Sequence, residues 1–286
     1  MKKILITGTG TLIGGEIAKF LCKNGFKVIG LYNKSLPKIK NKKIALVKKN
    51  LEKKLKIKSD IDCIVHCASK IPDDGNTKKN MSINLKMLKN LLENKDKIKL
   101  KKFIFLSAMS VYGKITEKIV DENTISKNLD HYGQSKKDCE KYLIDKLDKN
   151  ISYTIFRLPG VVGKNSGHNF MSKIIKNIKL NNNIKITNSI SLFNNIVHVD
   201  TISKLIFHSI KFDKSNNIYN VSSSKPLKLK ECIKILFRLF KKRVNLEELK
   251  SKKKSFMIST KKILKKKYPI ISTQQSLKKF YESNIK

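Results

Sequence analysis

The sequence predicts an α/β fold, a doubly wound parallel sheet followed by a smaller C-terminal lobe, on three observations. Short, continuously apolar runs alternate with stretches of helical period through the first half of the chain. A glycine-rich turn joins the first run to the first helical stretch, and the alternation breaks up beyond Gly163. Continuously apolar runs mark strands buried on both faces, as in a parallel sheet covered by helices on either side.

The expected strands are Ile4 to Thr7, Val28 to Leu31, Ile44 to Val47, Cys63 to His66, Phe103 to Ser107 and Tyr153 to Arg157. Between them Ile13, Ile17, Phe20 and Leu21, and later Leu85, Leu88, Leu91 and Leu92, recur at the three- and four-residue steps that line one helix face. Past Gly163, SGHN, NNN and SSSKP mark turns, and Leu229, Cys232, Ile233, Leu236 and Leu239 make an amphipathic helix. These features divide the chain into a domain over 1–163 and a smaller lobe over 164–286, with part of the latter near 190–210 returning to the first domain. The lysine-rich stretch from Lys250 to Lys267 reads as solvated surface.

Composition excludes several classes. With 286 residues and 40% apolar content the chain is long enough for a large core. No run of eighteen uncharged apolar residues exists and MKKILITGTG leads straight into a strand, so a soluble, cytoplasmic protein with no membrane partner is expected. The five cysteines are odd in number and form no CxxC pair. Reduced, buried thiols and no metal follow, because His66 and Cys67 sit in the apolar run DCIVHCAS with no second ligand pair nearby. The net charge of +41 invites a nucleic-acid reading. Of 63 basic residues, however, only Arg157, Arg238 and Arg243 are arginine, and the lysines are scattered and lack interleaved aromatics. The joint abundance of Lys, Asn and Ile fits an A/T-rich genome, and no nucleic acid is expected as partner.

ILITGTGTLIGGEIAKFL is a strand, a glycine turn and a helix in order. Glycines permit the tight turn and the close approach of a pyrophosphate, which meets backbone N–H groups at the positive end of the helix. A Rossmann-type dinucleotide site follows. The carboxylate that usually ends the second strand and binds the ribose 2′-hydroxyl is missing: VIGLYNKS offers Tyr32, Asn33 and Lys34. That makes NADP at least as plausible as NAD.

In DHYGQSKKDCEKYLIDKL, Tyr132 and Lys136 are four residues apart in a segment whose later apolar positions have helical spacing, so one face carries both side chains. A phenol titrates near pH 10 and serves as an acid/base at neutral pH only beside a cation. In so lysine-rich a chain a chance pairing is common, and the pair alone proves little.

Together these segments resemble the extended short-chain dehydrogenase/reductase superfamily, in its NAD-dependent epimerase/dehydratase (sugar-nucleotide) group. The resemblance runs from Lys3 to about Glu231: the turn Thr7 to Gly14, DCIVHCAS, Asn84, FLSAMSVYG, the pair Tyr132 and Lys136, then RLPGVVG, NNIVHVD and IYNVSSSKPLKLKE. It implies that Gly8, Gly10, Thr11, Leu12, Ile13 and Gly14 form the pyrophosphate turn. It places Asn50 and Leu51 at the adenine, Cys67, Ala68, Ser69 and Asn84 beside the cofactor, and Pro159 to Val161 at the carboxamide. Tyr132 would exchange the proton of a carbonyl/carbinol pair, and Lys136 would hold the nicotinamide ribose and stabilise the phenolate.

Four residues depart from the family pattern. Thr11 stands at the middle glycine, and Ala108 where the catalytic Ser or Thr is placed, flanked by Ser107 and Ser110. Side chains alternate along a strand, so Ser110 is the better geometric substitute, though a turn could bring either serine into place. Gly160 replaces a common asparagine and Asn194 an arginine that often meets the substrate diphosphate, which leaves the nucleotide part of the substrate open. The expected function is hydride transfer at a hydroxyl or keto carbon of a sugar or sugar nucleotide, in surface-polysaccharide or carbohydrate metabolism, by a protein that could form a homodimer. The alternative is a catalytically weak or inactive cofactor-sensing protein, supported by Ala108 and opposed by the intact Tyr132 and Lys136.

Overall fold

The computed structural model describes residues 2–37, 39, 41, 43–57, 59–94, 98–167, 169–251 and 254–285. The chain forms β1 (Lys3–Thr7), α1 (Leu12–Lys23), β2 (Lys27–Tyr32), β3 (Ile44–Lys48), β4 (Cys63–His66), α2 (Lys78–Leu92), β5 (Lys102–Ala108), β6 (Ile119–Val120), α3 (His131–Lys146) and β7 (Ser152–Leu158). There follow β8 (Gly160–Val162), α4 (Phe170–Lys179), β9 (Ile184–Ile186), β10 (Leu192–Phe193), β11 (Ile196–His198), α5 (Val199–Phe212) and β12 (Asn217–Asn220). Last come β13 (Leu227–Lys228), α6 (Leu229–Phe240), β14 (Leu246–Glu248), β15 (Met257–Ile258), α7 (Lys261–Lys265) and α8 (Thr273–Ile285).

Two compact units share these elements. The first comprises Met1–Lys114, Ile125–Arg157 and Ile202–Tyr219. Its seven-stranded sheet runs β12-β7-β5-β4-β1-β2-β3, and the pairs β1–β2, β1–β4, β2–β3 and β4–β5 are parallel. Strand order reverses beside β1, the switch point at which open α/β sheets bind ligands outside the carboxyl ends of their strands. Alternation along β1 explains the double winding. Leu5 joins Ile64, Phe103 and Phe105 under Leu88 and Leu91 of α2 and Cys139 and Leu143 of α3. Ile4 and Ile6, fully buried, point to the other face. Phe207 of α5 meets Phe20 of α1 and Phe26 edge-on, each at 6.1 Å.

The second unit comprises Ile115–Thr124, Leu158–Thr201 and Asn220–Lys286. Its strands form four short pairs, β11–β8, β14–β9 and β15–β6 parallel and β10–β13 antiparallel. Its core is built by Met171, Ile174, Ile175 and Ile178 of α4, Cys232, Ile233 and Leu236 of α6, and Leu277 and Phe280 of α8.

The boundaries differ from the expected division at 163/164. Residues 158–163 group with the second unit, where β8 pairs with β11. So do residues 115–124, because β6 pairs with β15 more than a hundred residues later, a match too short to announce itself in sequence. The returning segment is Ile202–Tyr219, which coincides with the expected 190–210 over residues 202–210 and extends beyond it, while β10 and β11 stay in the second unit. The segment Lys250 to Lys267 is also more than solvated surface. It holds β15 and α7, with Ile258 and Ile263 buried, while Lys252 and Lys253, like His168 of the SGHN turn, lie outside the described residues. Among the described residues no helix is long and apolar enough to cross a membrane, and no group of three or more His, Cys, Asp or Glu side chains could hold a metal ion.

Candidate active site

At the carboxyl ends of β1 to β4 the first unit carries a cleft of about 230 Å³. Gly8, Gly10, Thr11, Tyr32, Asn33, Lys34, Ser35, Glu52, Ala68, Ser69, Lys70 and Met87 line it. Eight of these are residues that the sequence assigns to a cofactor; Ser35, Glu52, Lys70 and Met87 are not.

The turn is built for close approach. A Cβ on Gly14 would overlap the Gly8 carbonyl oxygen, so α1 can start this near β1 only without a side chain there. Thr11 caps α1: its hydroxyl donates to Gly8 O at 2.8 Å and accepts from Gly14 N at 3.3 Å. The departure from the glycine pattern is thereby explained, since the threonine satisfies a first-turn amide. Among the described residues the Leu12 and Ile13 amides have no protein acceptor. A diphosphate fits two free N–H groups at the start of α1, where the helix N-terminus favours negative charge.

Beside β4, Thr7 organises the next stretch. Its hydroxyl oxygen accepts from Cys67 N at 3.1 Å and Ala68 N at 3.0 Å and lies 2.8 Å from His66 Nδ1. With both lone pairs taken, the Thr7 proton must point at His66 Nδ1, which fixes the imidazole as a neutral acceptor. Burial, and next the Lys136 charge, push the His66 pKa down from 6.5 to about 3. An unfolded chain takes up this proton below pH 6.5 while the folded one does not until about 3, so stability is lost as pH falls through that window. We expect wild type to lose about 2 kcal/mol more than His66→Gln between pH 7 and pH 5, measured by urea unfolding. Parallel losses in the two proteins would mean that His66 is not held neutral.

Asn84, assigned by sequence to the cofactor, is buried and spends its amide on protein. It accepts from Lys70 N at 2.7 Å and Ser69 Oγ at 3.3 Å, and donates to Lys70 O at 3.1 Å and Ser135 Oγ at 3.0 Å. It therefore fastens the loop after β4 to α3. Asn50 likewise spends its side-chain oxygen on protein, accepting from Glu52 N at 2.9 Å, and Leu51 is buried.

α3 starts at Asp130, whose carboxylate accepts from Gly133 N at 2.7 Å. Tyr132, in the first turn, is half-buried. One turn on, the buried Lys136 places its ammonium 3.0 Å from Leu106 O, 4.9 Å from the Phe105 ring centroid and 5.9 Å from that of Tyr132. Among the described residues one of its three donors is used, and a ribose diol fits the other two.

Ala108 ends β5, and the turn Met109–Tyr112 follows. The two flanking serines part company there. Ser107 is buried and donates to Glu140 Oε1 at 2.6 Å. Ser110 is half-buried, with no hydrogen bond to its hydroxyl among the described residues. A Cβ on Gly133 would overlap the Ser110 carbonyl oxygen, so the Ser110 turn packs directly on the residue after Tyr132. Both serines are candidates by sequence; of the two, Ser107 is engaged by Glu140, and Ser110 keeps an unengaged hydroxyl among the described residues.

Beneath lies an ion pair that the sequence did not disclose. Arg157 of β7 meets Glu140 of α3 through Nε to Oε1 at 3.0 Å and Nη2 to Oε2 at 2.7 Å, and gives Nη1 to Tyr112 Oη at 2.7 Å. Burial alone would lower the Arg157 pKa, but the hydrogen bond and charge of Glu140, with Tyr112, hold it above the usual guanidinium value.

In the second unit, Pro159 and Val161 lie on and beside β8, half-buried, with Val161 O accepting from Asn169 Nδ2 at 2.9 Å. Two neighbouring hollows share Phe193 and Asn195. One is lined also by Gly160, Asn169, Phe170, Met171 and Ile196; the other includes Lys254. Asn194 contributes to neither: its buried amide pairs with both backbone groups of Ile258, at 2.8 and 3.0 Å.

The fold recurs in known proteins. The chain is 26% identical over 271 residues to an uncharacterized protein of Methanocaldococcus jannaschii, MJ1055, covering 85% of this chain and 82% of that one. It shares its fold with UDP-glucuronic acid 4-epimerase from Bacillus cereus in complex with NAD, at a TM-score of 0.81, 21% identity and 98% coverage of both chains. UDP-glucose 4-epimerase from Thermotoga maritima, solved with UDP-glucose, is as similar, with a TM-score of 0.80, 20% identity and 98% coverage of both. The profile of the NAD dependent epimerase/dehydratase family matches residues 4–222, and the chain, an NAD(P)-dependent protein of the extended short-chain dehydrogenase type, belongs to that family.

Proposed function

We propose that the chain moves hydride to or from a hydroxyl-bearing carbon of a sugar nucleotide, with Tyr132 as acid/base, Lys136 as its cation and ribose anchor, and Ser110 as the hydroxyl that holds the reacting oxygen. The carrying observation is the buried Lys136 ammonium, 5.9 Å from the ring of the half-buried Tyr132 and with two donors to spare. The names of the solved relatives support a nucleotide sugar, and family membership supports an enzyme over a cofactor sensor.

Gly8, the amides of Leu12 and Ile13, and Ala68 and Ser69 would hold the dinucleotide, whose nicotinamide accepts or donates the hydride. The chain's own residues handle the proton. Tyr132 Oη takes the hydroxyl proton as the carbon–hydrogen bond breaks and returns it in the reverse direction. Lys136 supplies positive charge beside the phenolate that exists before this proton is taken and again after it is returned. Ser110, in place of the hydroxyl missing at Ala108, donates to the substrate oxygen and fixes its direction.

Loss of one positioned donor costs on the order of 10²–10³ in rate, so Ser110→Ala is expected to lower kcat by about that factor with little change in cofactor affinity. Ser107→Ala should change stability more than kcat, because its hydroxyl faces Glu140. The measurement is turnover of UDP-glucose, UDP-galactose and UDP-glucuronic acid with NAD and NADP. Cofactor binding without turnover of any of them would favour a cofactor sensor, and unchanged kcat in both variants and their double would remove the serines from the reaction.

A further inference from the structure

We infer that Glu52 reads the adenosine ribose of the dinucleotide, supplying from the end of β3 the carboxylate that is missing from the end of β2. The inference rests on the proposed reading of the cleft as the dinucleotide site. Three observations carry it.

The first is position along the sheet. In the order β5-β4-β1-β2-β3 the pyrophosphate turn follows β1 and Ala68 to Lys70 follow β4, so the cleft's other end lies past β2 and β3. A dinucleotide with its diphosphate at the turn of α1 spans the switch point, and its adenosine half falls on the β2 and β3 side. Glu52, four residues beyond β3, lines the cleft there together with Tyr32, Asn33 and Lys34.

The second is what aims Glu52. Asn50 Oδ1 accepts from Glu52 N at 2.9 Å, an Asx-type turn that brings the chain round just after the strand. Asn50 is thus consumed in shaping the backbone, and the next polar side chain faces the cleft. The third is that, among the described residues, the Glu52 carboxylate has no hydrogen-bond or ion-pair partner, although 63 residues of this chain are basic. A half-buried carboxylate without a cation, at the ribose end of a cleft, is an acceptor pair for vicinal hydroxyls.

A carboxylate there accepts from the 2′-hydroxyl and repels a 2′-phosphate, while Lys34 acts in the opposite direction. Glu52→Gln is therefore expected to weaken NAD and strengthen NADP, moving the ratio of their dissociation constants by about tenfold or more toward NADP. Lys34→Gln should move it the other way, and Glu52→Asp should retain part of the wild-type preference. Calorimetric titration of NAD+ and NADP+ into each full-length protein reads these ratios. Ser69→Phe, which fills the cleft, is titrated alongside, with Ala68→Leu in its place should the first fail to fold. Filled clefts that bind both nucleotides as wild type does would overturn the assignment of the cleft and this inference with it. Filled clefts that lose both nucleotides, with a Glu52→Gln ratio within about threefold of wild type, would overturn the role of Glu52 alone.

Discussion

Tyr132→Phe is expected to remove turnover, by a factor on the order of 10²–10⁴ or more, while leaving cofactor affinity within about tenfold. The substitution deletes a single oxygen. The ring that lies 5.9 Å from Lys136 stays, as do the helix start capped by Asp130 and the contact of Gly133 with the Ser110 turn, so the cleft keeps its shape. What goes is the atom that accepts the hydroxyl proton, and phenylalanine offers no substitute. Lys136→Ala should behave differently and lower both turnover and cofactor affinity, because its ammonium serves the phenolate and, through its unused donors, the ribose. Nicotinamide absorbance in single turnovers gives the rate, and calorimetry the affinity. More than a tenth of wild-type turnover in Tyr132→Phe would remove the phenol from proton transfer, and unchanged affinity in Lys136→Ala would remove the ribose contact.

The parts of this site that were legible in sequence share one property: they sit at fixed steps on regular elements. The strands β1 to β5 announce themselves as continuous apolar runs, and Tyr132 and Lys136 as a pair one helical turn apart. Asn84 shows the limit of that reading. Its place beside the cofactor region was legible, but whether its amide would face the ligand or bind Lys70 and Ser135 depends on two other segments folding against it. The second unit was harder because its strands are two or three residues long, too short for any period, and pair across wide gaps, as Met257 with Ile119. Glu52 and Glu140 were missed because a charged residue between lysines reads as solvated surface. For Glu52 the Asn two residues earlier is a local turn signal that could have pointed to it. For Glu140 the signal was its spacing, four residues past Lys136 on the same face of α3, an inward face on which a carboxylate needs a partner.

That partner makes Glu140 the position where truncation should cost the fold most. Glu140→Ala would take from the Arg157 guanidinium, only 3% exposed, both of its hydrogen bonds to Glu140 while keeping the one to Tyr112, and would take from Ser107 its acceptor. Removing one member of a buried pair typically costs about 3–5 kcal/mol, well beyond the worth of an exposed pair, because the remaining charge cannot return to water. Urea unfolding at neutral pH measures the loss. Replacing both members with apolar residues of similar volume, Glu140→Leu with Arg157→Met, should recover much of it, since the desolvated charge is then gone. Recovery should stay incomplete by about 1–3 kcal/mol while the Ser107 hydroxyl remains buried without an acceptor, and adding Ser107→Ala should narrow that gap. A loss below about 1 kcal/mol in Glu140→Ala would mean that water reaches Arg157 and that the pair does not anchor α3 to β7. A double variant no more stable than the single would show that the geometry of the pair, and not the stranded charge, sets its value.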